Sequence, residues 1–193
     1  MRNRFYEKNL TKRQTGYLVG FYVGDGNIFI NKLKGIYRVR FSINLKEIEI
    51  KRQILQLLRN SYLNFITYKD RETTVSIDIY SKDLVRFLKK KANKNGLLNH
   101  EMEPKDFLIG FIEGLIDSDG YVKRNYAEIT SANERLKEQI KDILKILRIK
   151  FNERTYNYTT GQGDKTEYRI GFSLLHKKFN PIKWQVVVFQ TAG

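Results

Sequence analysis

The chain has 193 residues, with 36 Lys and Arg against 21 Asp and Glu, a formal net charge of +15, a pI near 9.8 and no cysteine. This length suffices for a proper core in one or two domains; the lack of thiols excludes disulfides and thiolate metal centres, and two histidines, His100 and His176, are too few for a zinc cluster. No apolar leader opens the chain and no stretch approaches a membrane span, so the expectation is an intracellular protein with a polyanionic partner, nucleic acid ahead of any membrane.

In chain order, an apolar segment starting at Gly16 and ending in Asp25-Gly26 predicts a helix, because Gly16, Gly20 and Gly24 fall on one helical face. Strands are predicted over 27–32 and 37–44, around Lys34-Gly35. In the second, Val39, Phe41 and Ile43 alternate with Arg38, Arg40, Ser42 and Asn44, which gives one apolar and one basic face. Residues 46–62 show helical spacing through Ile50, Ile54, Leu57 and Leu58. Strand-like runs follow over 65–69 and 73–80, and a basic helix over 82–93 closes the first half.

The second half repeats this order. A helix over 104–119 has Pro104 in its first turn, where a missing N–H costs nothing. Strands over 121–125 and 127–131, a helix over 133–147 and strands over 150–158 and 166–174 come next, the last two joined by Gly161-Gln-Gly163-Asp164. An irregular segment over 176–190, containing Pro181, replaces the closing helix. The predicted organisation is a first half over 1–96, a linker over 97–103 and a second half over 104–193.

The repeat is most exact at the two helix ends. A constant offset of 94 maps Gly16, Gly20, Gly24, Asp25 and Gly26 onto Gly110, Gly114, Ser118, Asp119 and Gly120. Small residues four apart let two helix backbones approach closely, and the terminal glycine of each motif can adopt the left-handed conformation that ends a helix. Asp25 and Asp119 then sit together at the negative ends of two dipoles, an arrangement that calls for a compensating cation. A hard divalent metal, held by carboxylate and carbonyl oxygens, answers that need.

These residues resemble the LAGLIDADG homing endonucleases. The nine motif positions correspond to Leu18 through Gly26 and to Ile112 through Gly120, with the later acid present both times. The earlier acid is Asp117 in the second copy and is replaced by Val23 in the first. Two motifs in one chain resemble the single-chain, monomeric form. The resemblance implies an α+β fold of two pseudo-symmetric αββαββα halves. The motif helices would pair at the interface, and two antiparallel four-stranded sheets would form a saddle over double-stranded DNA.

By the same resemblance Asp25 and Asp119 are the expected metal ligands, with the carbonyls of Gly24 and Ser118, and the metal is Mg2+ or Mn2+. A catalytic lysine is expected early in the closing helix, where Lys91 fits best, with Lys178 as its counterpart and Lys46 and Lys123 as alternatives. For DNA contact the alternating polar positions are selected: Asn27, Lys32, Lys34, Arg38, Arg40, Ser42 and Asn44, then Lys69, Arg71, Thr74, Ser76, Asp78 and Tyr80. In the second half they are Lys123, Arg124, Asn125, Glu128, Thr130, Arg154, Tyr156, Lys165, Glu167 and Arg169.

Charge divides unevenly. Residues 1–96 carry 21 Lys and Arg against 8 Asp and Glu, a net of +13; residues 97–193 carry 15 against 13, a net of +2. The functional expectation is a monomeric, metal-dependent, site-specific endonuclease, intron- or intein-encoded, cutting both strands of a long DNA site. The alternative is a non-cleaving nucleic-acid binder of the same fold, an RNA splicing maturase acting on intron RNA or a DNA-binding regulator.

Overall fold

The computed structural model describes residues 3–161, 163–175 and 178–185. Five helices and ten strands follow one another as α1 (Lys12–Asp25), β1 (Gly26–Asn31), β2 (Ile36–Asn44), α2 (Ile48–Asn60), β3 (Ile66–Arg71), β4 (Thr74–Tyr80) and α3 (Lys82–Lys91) in the first half. A short ladder, β5 (Ala92–Asn93) and β6 (Gly96–Leu97), leads into α4 (Lys105–Asp119), β7 (Gly120–Lys123), β8 (Tyr126–Ser131), α5 (Glu134–Ile146), β9 (Phe151–Thr160) and β10 (Gly163–Ser173). A single helical turn covers 182–185, and residues 186–193 lie outside the described residues, as does His176. No helix among the described residues is long and apolar enough to cross a membrane.

Both antiparallel sheets have the same strand order, β1-β2-β4-β3 and β7-β8-β10-β9, which is the two-half α+β architecture expected from the repeat. The second hairpin is the shorter one: α2 and α5 begin 86 residues apart, whereas α1 and α4 end 94 apart. The halves also share a detail that no motif announces. Tyr62 and Arg148, again 86 apart, both take positive φ, 58° and 56°, just after α2 and α5, and the next amide returns to Leu58 and Leu144 to close each helix.

Capping explains where the helices start. Thr11 and Gln14 form a reciprocal box ahead of α1, and Ser81 and Asn133 accept the amides of Leu84 and Leu136 ahead of α3 and α5. Pro104 stands at the cap of α4, one residue before the helix. α2 and α5 are amphipathic and bury Ile50, Ile54, Leu57 and Leu58 and, in the other half, Leu136, Ile140, Ile143 and Leu144. By contrast α1 is buried all round from Thr15 to Val23, because sheet covers one side and α4 the other. One apolar core runs through both halves.

The α1–α4 contact is backbone against backbone and two-fold reciprocal. A Cβ on Gly16 would collide with the Phe107 carbonyl and one on Gly20 with the Phe111 carbonyl; in return Gly110 abuts the Arg13 carbonyl and Gly114 the Tyr17 carbonyl. Gly26 and Gly120 depart from expectation. Their φ values are −86° and −90°, extended rather than left-handed, since each helix runs straight into a strand. Glycine is required there for space: a Cβ would lie 2.6 Å from the Tyr22 carbonyl oxygen or 2.6 Å from Ile116 Cα.

Candidate functional site

α1 and α4 end on Asp25 and Asp119, and each sheet begins at the next residue, so the two acids lie where helix pair and sheets meet. The approach persists to this end: a Cβ built on Gly24 would fall against Ser118 and 2.9 Å from Asp119 Oδ2. Burial, then the neighbouring Asp119, lifts the Asp25 carboxyl to about 6, against the pull of Lys183 and Lys94. Burial likewise raises Asp119, opposed by the same two lysines.

Those lysines were not the ones selected from sequence. Lys94, in the turn between β5 and β6, donates through Nζ to the carbonyls of Tyr22 (3.0 Å), Val23 (2.9 Å) and Gly24 (2.8 Å), and so caps the end of α1. Lys183 does the same for α4, donating to the carbonyls of Ser118 (3.1 Å) and Gly120 (3.0 Å), and its ammonium lies 3.4 Å from Glu47 of the first half. The turn carrying Lys94 is fixed from across the molecule. Gln139 on α5 accepts from the Leu97 amide at 2.6 Å and donates to the Leu97 carbonyl at 2.8 Å.

Lys91 and Lys178 are at the wrong end of the helix pair. Lys91 pairs with Glu103 at 2.7 Å and its ammonium lies 5.1 Å from the Phe107 ring centroid, while Lys178 donates to the Leu147 carbonyl at 2.6 Å and its own carbonyl accepts from Arg13. Phe107 and Arg13 lie twelve residues before Asp119 and Asp25, about 18 Å along a helix. The closing helix stops at Lys91 and the chain folds back, so the lysine that reaches the acids is three residues further on. Lys46 and Lys123 are both exposed.

Asp117, the extra acid of the second motif, is fully buried. It accepts the amides of Ile182 (2.8 Å) and Lys183 (2.9 Å) and the hydroxyl of Tyr17 (3.0 Å), and burial raises its carboxyl to about 6 despite these donors. One turn earlier on α4, Glu113 accepts the Arg13 guanidinium and the Asn180 amide. Together they strap residues 180–183 along the helix and deliver Lys183 to the site. The first motif has Val19 and Val23 at the corresponding positions, and its lysine arrives by a different route.

Strand register assigns the sheet positions to faces. Arg38, Arg40, Ser42 and Asn44 lie opposite Tyr80, Asp78, Ser76 and Thr74 on one polar face, joined by Asn27 and Arg71. Lys32 and Lys34 are exposed at the β1–β2 turn. Three selections need correction. Ser76 and Asp78 are buried beneath longer neighbours, Ser76 donating to Asp70 and Asp78 accepting from Arg40 and Tyr68, so neither is open to a ligand. Lys69 lies opposite Val75, on the helix-covered side, because the irregularity between Lys69 and Arg71 shifts the alternation and puts Tyr68 on the polar face. In the second sheet Lys123, Glu128, Thr130, Arg154, Tyr156, Lys165, Glu167 and Arg169 do share one face, with Arg124 and Asn125 at the β7–β8 turn.

The lifted Asp25 carboxyl has a measurable consequence in metal-free protein. An acid whose folded value exceeds its unfolded one loses its stabilising contribution as pH rises toward the folded value. Asp25→Asn is therefore expected to be nearly neutral at pH 3, below the unfolded value, and stabilising at pH 7, by about 1–2 kcal/mol after allowance for partial exposure. Urea unfolding at both pH values measures this, and an equal effect at the two would contradict it.

Known proteins share this fold. Residues 106–182 match the family model described as a LAGLIDADG-like domain. The whole fold matches crystal structures of the homing endonuclease I-DmoI, one with DNA and Ca at TM-score 0.64 and 21% identity, covering 86% of this chain and 85% of that one. The second half of this chain thus carries a LAGLIDADG-like domain within an I-DmoI-like fold. Another I-DmoI structure, of mesophilic variants, matches at TM-score 0.66 and 20% identity over 93% of this chain and 96% of that one. Among curated relatives, an uncharacterized protein of Methanocaldococcus jannaschii is 31% identical over 139 residues, 70% of this chain and 49% of its own length. A DNA polymerase of Thermococcus hydrothermalis is 29% identical over 136 residues, 66% of this chain and 8% of the polymerase. The chain thus spans about half the length of the first relative and under a tenth of the second.

Proposed function

We propose that the protein is a divalent-metal-dependent, site-specific endonuclease of double-stranded DNA, acting as a monomer on a long recognition site. The observation that carries this reading is the pair of carboxylates, half-buried Asp25 and exposed Asp119, at abutting helix ends between two polar sheet faces. The fold it shares with I-DmoI, seen with DNA and Ca and with DNA and Mn, supports it.

Among the described residues no group of three or more His, Asp or Glu could form a metal cluster. The donors that fit a hard cation are the two carboxylates with the Gly24 and Ser118 carbonyls, completed by water, which suits Mg2+ or Mn2+. These carbonyls already attract cations, the ammonium groups of Lys94 and Lys183. A bound metal would supply Lewis acidity and an acidified water for phosphodiester hydrolysis. Lys94 and Lys183 offset charge developing on the phosphate, Gln139 and Asp117 hold them in position, and the sheets place DNA across the helix ends.

The test is to select tight-binding duplexes from a randomised pool and incubate them with protein and Mg2+ or Mn2+. Cleavage of both strands at one position is expected. Bound duplexes left intact under both metals would overturn the reading in favour of a non-cleaving DNA or RNA binder. That second reading has one observation behind it: Lys94 and Lys183 cap the two helix ends and partly neutralise the acids without any metal.

The two sheets should also differ in salt response. In the second, Arg169 is held by Glu167 at 2.6 Å with Glu128 at 3.5 Å, whereas the first sheet has the larger cation excess. Removing Lys32 and Lys34 together should reduce the slope of log K against log salt by about 2, and removing Lys123 and Lys165 by less. Equal reductions would contradict this difference between the sheets.

A further inference from the structure

The polar face of the first sheet is organised around one arginine. Register places Asn27, Arg40, Asp78 and Ile66 in a single row across all four strands. Asp78, 3% exposed, accepts from Arg40 Nε at 2.7 Å and Nη2 at 2.9 Å and from the Tyr68 hydroxyl at 3.2 Å, with Arg38 Nη1 3.6 Å away. The Arg40 guanidinium also lies 5.5 Å from the Tyr68 ring centroid. Burial works to raise the Asp78 carboxyl, but the arginines and Tyr68 more than offset it and keep the group ionised at neutral pH.

A guanidinium has five N–H groups in a rigid fork. The side-on pair with Asp78 engages Nε and one hydrogen of Nη2, which leaves the end-on edge of Nη1 and Nη2 for a second two-point acceptor. The Arg40 side chain remains 25% exposed. O6 and N7 of guanine present such an acceptor pair in the major groove. A phosphate needs no such orientation, and exposed Lys32 and Lys34 at the turn serve it as well. Phe29 and Ile66, 43% and 57% exposed on the same face, flank Arg40 with apolar surface of the kind that meets base edges and thymine methyls.

We propose that Arg40, held in one orientation by Asp78 and Tyr68, is the residue with which the first sheet reads a guanine, and that Asp78 is its positioning residue. This rests on the DNA-binding part of the function proposed above. The second sheet has no equivalent reader at the matching place. Counting back from the strand partner of each motif glycine, Phe41 for Gly26 and Ile129 for Gly120, Arg40 is replaced by Glu128. The two halves of the target are therefore expected to differ at that base pair.

Selection of a randomised duplex pool in EDTA, so that cutting plays no part, tests the assignment with wild type, Arg40→Lys, Asp78→Asn and Lys32→Ala/Lys34→Ala. Wild type should yield a consensus with a fixed guanine. Arg40→Lys, which keeps the charge beside Asp78, should reduce preference for that guanine about tenfold or more and leave other positions unchanged. Asp78→Asn should weaken the same position only. The double lysine variant should keep the guanine and show a salt slope smaller by about 2. An unchanged guanine in Arg40→Lys would overturn the assignment and leave DNA binding standing, whereas a wild type with no consensus would overturn both.

Discussion

Asp119→Asn and Asp25→Asn are each expected to remove DNA cutting, by about 10³-fold or more, while binding in the absence of metal persists. A loss of that size is roughly 4 kcal/mol of transition-state stabilisation, the scale on which a charge-stabilising group acts at the reacting phosphate. Asparagine keeps the shape of the side chain and removes the anion that would hold the metal. Loss of fold cannot account for the result, because each substitution relieves a carboxylate lifted by burial, and at Asp25 by Asp119 as well, so the metal-free variants should be at least as stable as wild type at pH 7. Rates on a selected duplex, alongside filter binding in EDTA, separate the two effects. Undiminished cutting by both variants would rule out these acids as the catalytic pair.

Gly20→Ala and Gly114→Ala are expected to destabilise the protein by about 3 kcal/mol or more, and here two principles oppose each other. Helix propensity favours alanine over glycine by about 1 kcal/mol. Packing opposes it, because the added methyl meets the Phe111 or Tyr17 carbonyl of the facing helix, a backbone atom that cannot turn aside. The helices must separate, and with them the ends that carry Asp25 and Asp119. Gly161→Ala is the control: nothing among the described residues lies within 4 Å of its added carbon, and a change within about 0.5 kcal/mol is expected. Urea unfolding of the three variants decides between them; equal small shifts at Gly20 and Gly161 would mean that the helix contact is looser than described.

Much of this architecture was legible in the residues. Glycines four apart, repeated at a constant offset, imply close helix contact, and alternation in 37–44 implies a sheet with one basic face, because both patterns depend on local periodicity alone. The lysines at the site were not legible, since Lys94 reaches the carbonyls of α1 only through a short ladder held by Gln139, and Lys183 only through a strap gripped by Glu113 and Asp117. Asp117 itself offered a clue, being an acid inside an apolar helix where its counterpart is Val23. Lys69 was misplaced because one irregularity reverses strand parity, and Asp78 because alternation reports which face a residue occupies and says nothing of what covers it.

The reciprocity of the helix pair and the asymmetry of what surrounds it carry different parts of the function. Gly16, Gly20, Gly110 and Gly114 repeat strictly, since one shift of either backbone would move both acids. The lysine supports, the hairpin lengths and the charged residues of the sheets differ between halves, which suits the proposed function, the same chemistry on two strands of two unlike half-sites.

The central claim is that Asp25 and Asp119 jointly hold divalent metal beside the DNA. Anomalous diffraction from crystals of the protein with a selected duplex and Mn2+ tests it most directly. The account predicts anomalous peaks within coordinating distance of both carboxylates. Manganese bound only elsewhere, with Lys94 and Lys183 still seated alone on the helix-end carbonyls, would contradict it.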